Sequence, residues 1–225
     1  MQFMTERETP SVDGLVIGIL GGTGDQGRGL ARRFALAGHP VIIGSRSHER
    51  AHAAAQEIGN HVRGLANADA AREASVVIAA VPWEGHGELL ARLAAELAGK
   101  IVVDCVNPLG FDQRGAYPLK VAEGSAAEQA AALLPGSKVV AAFHHVSAIL
   151  LLDPEIDTID LDVLVLGDDR QATDLVQALA ARIPGVRGIY AGRLRNCGQV
   201  EALTANLVSI NRRYKAHAGL RITDI

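Results

Sequence analysis

The sequence predicts an α/β fold of Rossmann type, a doubly wound, mainly parallel sheet with a smaller C-terminal α/β elaboration. Three observations carry this reading. Short apolar runs, LVIGIL at 15–20, VVIAAV at 76–81 and VLVLG at 163–167, alternate with longer alanine-rich stretches of helical period, as strands do when they cross back through helices into one sheet. The run at 76–81 has no polar residue, which suits a strand covered on both faces. A glycine-rich heptapeptide, GGTGDQG at 21–27, follows the first run directly. At 225 residues and 48% hydrophobic composition, the chain is long enough to bury a substantial core.

Taken in order, the first strand is expected over Leu15–Leu20, a helix over Gly27–Ala37, a second strand over Val41–Ile43 and a second helix over His48–Ile58. A shorter element near Val62–Leu65 precedes the strand Val76–Val81, the helix Leu89–Leu97 and the strand Ile101–Val103. The stretch DCVNPLGFDQRGAYPLK, rich in glycine and proline, reads as a long loop, and long loops inside compact domains tend to carry function. A helix over Ala126–Leu134, strands at Lys138–Ala142 and Val163–Gly167, and helices over Ala172–Ile183 and Gln199–His217 complete the reading. The organisation expected is a flexible extension at 1–14, a dinucleotide-binding unit at 15–134, and a C-terminal part at 135–225 that completes the site.

Composition narrows the partners. A net charge of −3 leaves no basic surplus to neutralise a phosphodiester backbone, so no nucleic acid is expected. Cys105 and Cys197 form neither a zinc cluster nor a disulfide framework, which fits a reducing cytoplasm. The start, MQFMTERETPSVDG, has acids and a proline where a signal peptide has an apolar run, and no later run approaches membrane-spanning length. We therefore expect a cytoplasmic protein without a membrane partner.

Within the heptapeptide, Gly22, Gly24 and Gly27 match G-x-G-x-x-G after a strand and before a helix, the context that a dinucleotide fingerprint requires. The first glycine permits a tight turn, the second lets the backbone approach a pyrophosphate at the helix N-terminus, and the third lets helix and strand lie close. NAD-binding folds place an acid at the end of the second strand, where it bonds the ribose hydroxyls. Here the stretch is IIGSRSHER, which offers Ser45, Arg46 and, one helical turn on, Arg50. A hydroxyl and two guanidinium groups suit a 2′-phosphate, so the expected cofactor is NADP.

Other owners of such a loop fit less well. Short-chain dehydrogenases need Tyr-x-x-x-Lys, but Tyr117 is followed by Lys120, Tyr190 has no lysine after it, and Tyr214 abuts Lys215. Imine and β-hydroxyacid reductases bury substrate beneath a large helical domain, and too little chain remains for one. His144 and His145 invite a metal reading, but neighbours on an extended strand point to opposite faces, and no acid or cysteine cluster is spaced to join them. No metal is expected.

The motifs GGTGDQG, GSRSHER, VPWEGH at 81–86, KVVAAFHHVSA at 138–148 and the Gly-Asp-Asp at 167–169 together resemble the F420:NADP oxidoreductase family. The likeness runs from Leu15 to the C-terminus. It implies hydride exchange between NADP(H) and the deazaflavin coenzyme F420. By the resemblance, Thr23, Gly24, Asp25 and Gln26 bracket the pyrophosphate, while Ser45, Arg46 and Arg50 hold the 2′-phosphate. Pro82, Trp83, Asn107, Pro108 and Leu109 are implied as nicotinamide-side walls and Ala148 as a further NADP contact. His144, with His145, Val146 and Ser147 beside it, is implied to line the deazaflavin site, Leu220 to contact it, and Arg212, Arg213 and Lys215 to attract its anionic tail.

Direct transfer between stacked rings needs no protein nucleophile or metal, so no catalytic side chain is expected. Two alternatives share the same crevice, an NADPH-dependent FMN reductase and a non-catalytic NADP-binding redox sensor. The apolar run AILLL at 148–152 and the alanine-rich C-terminal helices suggest a homodimer.

Overall fold

A computed structural model describes residues 10–59 and 61–225. Of the expected N-terminal extension, residues 1–9 lie outside the described residues, and Val12, 5% exposed, already packs into the core. The strands are β1 (Ile17–Leu20), β2 (Val41–Ser45), β3 (Val62–Ala66), β4 (Val76–Ala79), β5 (Ile101–Asp104), β6 (Leu109–Asp112), β7 (Gly115–Pro118), β8 (Lys138–Ala141), β9 (Leu161–Gly167) and β10 (Val186–Gly192). The helices are α1 (Asp25–Leu36), α2 (His48–Ile58), α3 (Asn67–Glu73), α4 (Trp83–Arg92), α5 (Ala94–Leu97), α6 (Ala126–Leu133), α7 (Ala148–Leu152), α8 (Arg170–Ala180) and α9 (Cys197–Tyr214).

Eight strands make one sheet in the order β10-β9-β8-β5-β4-β1-β2-β3. The six from β3 to β8 are parallel, and the strand order reverses between β1 and β4. That reversal opens a crevice beyond the carboxyl ends of the strands, where open α/β sheets bind ligands. β9 pairs antiparallel with β8, with Ala141 opposite Leu166, and β10 returns parallel to β9 through α8. The C-terminal elaboration is therefore one βαβ unit running against the main sheet. Two apolar layers cover the faces. Leu30, Phe34, Phe143 and Leu151 lie in one, Leu90, Leu97 and Leu134 in the other. No helix among the described residues is long and apolar enough to cross a membrane.

Four differences from the sequence reading are informative. The loop expected at 104–120 contains an antiparallel hairpin, β6 with β7, whose turn closes at Gly115 with φ +119°. Its strands are short and half-exposed, so no apolar alternation announces them. The helix expected at Leu89–Leu97 begins at Trp83, because Pro82 takes the N-cap position, and it breaks at Leu93 into α4 and α5. The last helix stops at Tyr214 rather than His217, where Lys215 turns left-handed (φ 54°, ψ 44°). The AILLL run forms α7, which packs on α1 through Leu151 and leaves Ile149 exposed, so much of that run is used within the chain.

Candidate functional site

The sequence brings GGTGDQG, SRSHER, VPW, DCVNP and FHHVS to one sheet edge because each follows the carboxyl end of a parallel strand. In the glycine loop, Gly22 N donates to Gly44 O (3.0 Å) and Gly24 N to Gly21 O (3.2 Å). A Cβ on Gly27 would sit 2.6 Å from Gly22 Cα, so this glycine is required for α1 to approach the turn. A Cβ on Gly24 would meet only Gly21 O, at 3.7 Å, so nothing in the protein forbids a side chain there. That open side suits the close approach of a ligand. Gly24 gives α1 no side-chain cap, and the N–H groups of Asp25, Gln26 and Gly27 have no protein partner among the described residues. Orphan donors at a helix start form an anion site. Thr23 is half-buried beside them. The Asp25 carboxylate is taken by Arg28 (3.0 Å), which also holds Glu57 (2.8 Å), so this acid presents little free charge to a phosphate.

Gln26 is held by a second contact. Its Nε2 donates to Phe143 O (3.2 Å), so the side chain ties the glycine loop to the loop after β8, and only its backbone N–H is free for an anion. Phe143 is fully buried and has φ +64°, a conformation that costs a non-glycine residue energy and persists where surroundings over-determine it.

At the end of β2, Ser45 is buried and its Oγ accepts from Ser47 N (3.3 Å), while Ser47 caps α2 by accepting from Arg50 N (3.2 Å). Arg46 and Arg50 are exposed and enter none of the ion pairs among the described residues. A buried serine and two uncommitted guanidinium groups thus stand together at the end of β2.

The opposite end is already knitted together. Pro82 is exposed, and the Trp83 ring, half-buried, lies over His86 with centroids 5.6 Å apart and a 30° tilt. Asn107 Nδ2 donates to His144 O (2.8 Å), and Thr204 of α9 donates to Asn107 Oδ1 (3.3 Å) or to His144 O (3.3 Å). Leu109 opens the hairpin and is half-buried. Ala148 heads α7, and a Cβ on Gly29 of α1 would stand 3.5 Å from its carbonyl. Leu220 lies apart in the C-terminal tail, where its carbonyl accepts from Asp162 N (2.8 Å) at the start of β9. The tail is latched by the buried Asp162 carboxylate, which accepts from Arg187 (2.6 and 2.7 Å), Arg221 and Ile222 N. Those donors, Arg187 first, hold the carboxyl well below the usual range.

His144 is 4% exposed, and neither ring nitrogen has a partner. Burial pushes both His144 and His145 down to about 4, so both rings are neutral near pH 7. A neutral imidazole offers one donor and one acceptor. His145 spends one nitrogen on Leu164 N (3.4 Å), whereas His144 spends neither. Residues that sequence reasoning missed include Asn67, Thr204 and Glu201. Asn67 Oδ1 accepts from Gly21 N (3.5 Å). Glu201 Oε2 and Oε1 accept from Ala126 N (2.9 Å) and Ala127 N (3.2 Å), although burial still pushes its carboxyl up to about 7. No local signal marks them, since each acts on a segment distant in sequence.

The fold, the uncapped α1 terminus and the paired arginines define a protein of the Rossmann class with groups suited to a phosphorylated dinucleotide. The family described as NADP oxidoreductase, coenzyme F420-dependent, matches residues 16–108. The F420-dependent NADP reductases of Methanothermobacter marburgensis and Methanocaldococcus jannaschii are each 41% identical over 221 residues, 93% of this chain and 98% of theirs. A crystal structure from Arthrobacter sp. FB24 superposes with a TM-score of 0.82 at 30% identity, over 94% of this chain and all of that one. The chain belongs to the F420-dependent NADP reductase family.

Proposed function

We propose that this chain moves hydride reversibly between NADP(H) and coenzyme F420, holding the two coenzymes at opposite ends of the crevice along the carboxyl edge. The observation that carries the placement is the contrast between uncommitted anion donors at one end of that edge and an uncharged, unpartnered buried histidine at the other. The coenzymes supply the chemistry, hydride passing between C4 of the nicotinamide and C5 of the deazaflavin. The protein binds and orients. The first turn of α1 receives the pyrophosphate, while Ser45, Arg46 and Arg50 receive the 2′-phosphate and exclude an unphosphorylated ribose as the preferred ligand. Pro82, Trp83, Asn107 and Leu109 wall the nicotinamide. His144, beside His145 and the helix carrying Thr204, meets the polar edge of the deazaflavin with one donor and one acceptor, and Ala148 contributes an apolar contact.

Holding two flat rings at near-attack distance can supply roughly 7–11 kcal/mol of the barrier, which is why no proton-transferring triad is needed. The exposed Phe111, Tyr117 and Tyr214 support a homodimer, which light scattering would test. The deciding assay mixes purified protein, NADPH and F420 and follows the deazaflavin band. Its loss at a rate proportional to enzyme supports the reading; bleaching of FMN with F420 untouched would replace it with the flavin reductase, and tight NADPH binding without turnover would replace it with the sensor.

A further inference from the structure

Beneath the nicotinamide wall lies a pair of groups that the reading above does not use. His86 of α4 and Asp104 of β5 are both fully buried, and His86 Nε2 stands 2.6 Å from Asp104 Oδ2. The other ring nitrogen, Nδ1, is 3.2 Å from Gln129 Oε1 of α6. Gln129 turns its Nε2 toward the Glu123 carboxylate (3.3 Å), which fixes Oε1 as the atom facing His86. Oε1 can only accept, so Nδ1 carries a proton. Asp104 Oδ1 accepts from Val106 N (3.0 Å), which leaves Oδ2 and the ring's Nε2 to hold one proton between them. A proton on Nδ1 and another held between Nε2 and Oδ2 make this a buried, charge-assisted pair.

The other groups facing this pair agree in sign. Glu201 and Cys197 come from α9 and His144 from the loop after β8. None of them is cationic near pH 7, so no charge competes for Asp104. Burial alone would push the His86 imidazole down; the Asp104 carboxylate outweighs it, and the net direction is up.

Two features of the crevice hang on this pair. Trp83, the first residue of α4, rests its ring on the His86 ring. Asp104 bonds the backbone at Val106 and thereby fixes the turn into Asn107. We infer that His86 and Asp104 are positioning residues, a buried ion pair that sets Trp83 and the 105–107 turn against the nicotinamide. This rests on the coenzyme placement proposed above.

The test uses an accident of composition, since Trp83 is the single tryptophan of the chain. An imidazolium quenches a stacked indole more strongly than a neutral imidazole, so Trp83 emission reports the charge on His86 without any coenzyme. In the wild-type protein, emission should stay low through neutral pH and rise in one step above the ordinary histidine range. D104N should move that step to lower pH, and H86Q should abolish it and leave emission bright. NADPH should shift the wild-type midpoint, because its nicotinamide packs beside Trp83. In turnover, wild-type kcat should decline through the pH of the emission step. The H86Q/D104N variant, which replaces the ion pair with a neutral amide pair, should lose that limb and roughly ten- to a hundredfold in kcat.

A wild-type emission step at the ordinary histidine value, or a midpoint indifferent to NADPH, overturns the inference. So does a folded double variant with wild-type kcat and pH profile. If that variant does not fold, the wild-type and D104N titrations decide. If the wild type titrates as expected but does not reduce F420, the assigned activity fails and the pair stands.

Discussion

The two ends of the crevice are built by opposite means. At the adenosine end, the loop 21–27 and the stretch 45–50 present groups that the fold leaves unspent: three N–H donors at the start of α1 and two arginines outside every ion pair among the described residues. At the ring end, Asn107, His144 and Thr204 bond one another, and His86, Asp104 and Gln129 form a second chain. The difference suits the ligands proposed for the two ends. A phosphate is recognised by charge and donors, which must be kept free for it. A flat ring is recognised by shape, and shape is held by groups that satisfy each other.

The sharpest way to break the comparison is at the adenosine end. A side chain at Gly27 collides with the Gly22 backbone rather than with a flexible neighbour, so Gly27→Val should lose about 1–3 kcal/mol of stability. It should also abolish NADPH binding by calorimetry at concentrations that saturate the wild type, since α1 can no longer present its first turn. Next, R46A/R50A should cost about 1.5–3 kcal/mol of NADP affinity, roughly ten- to 150-fold, while NAD use is unchanged. An equal loss for both cofactors would remove the 2′-phosphate from this position.

Acid probes the ring end. His144 and His145 titrate at about 4 when folded and near 6.5 when unfolded, so the unfolded chain binds more protons between these values. Their contribution is present above pH 6.5 and disappears as pH falls to about 4, on the order of 1–3 kcal/mol per ring. Urea melts at pH 7.5 and 4.5 should show this loss, and H144N/H145N should flatten it. The smallest effect is Asn107→Ala, which leaves His144 O with Thr204 as partner. It should cost about 1 kcal/mol of stability, raise the KM for F420 and weaken NADPH binding by a smaller factor.

The proposed adenosine end could be read from the sequence because its residues are contiguous. Gly22, Gly24 and Gly27, and Ser45, Arg46 and Arg50, lie within one βαβ unit, where strand period and glycine spacing fix which atoms face the edge. Even there, the Gln26 amide goes to Phe143, far away in sequence, and only the structure shows it. The ring end was legible only as a set of strand ends. That Trp83 starts a helix, that Asn107 serves His144 before any ligand, and that a hairpin interrupts 104–120 all depend on contacts between segments.

The sequence by itself determined the parallel sheet, the dinucleotide loop and its preference for a phosphorylated ribose, because these follow from periodicity, glycine sterics and charge at short range. Only the tertiary structure decided the ring end, the reversed β9–α8–β10 unit, the latched tail and the buried His86–Asp104 pair. A buried charge can exist only beside its partner, and nothing in the residues near His86 says that the partner is Asp104, one strand away in the sheet.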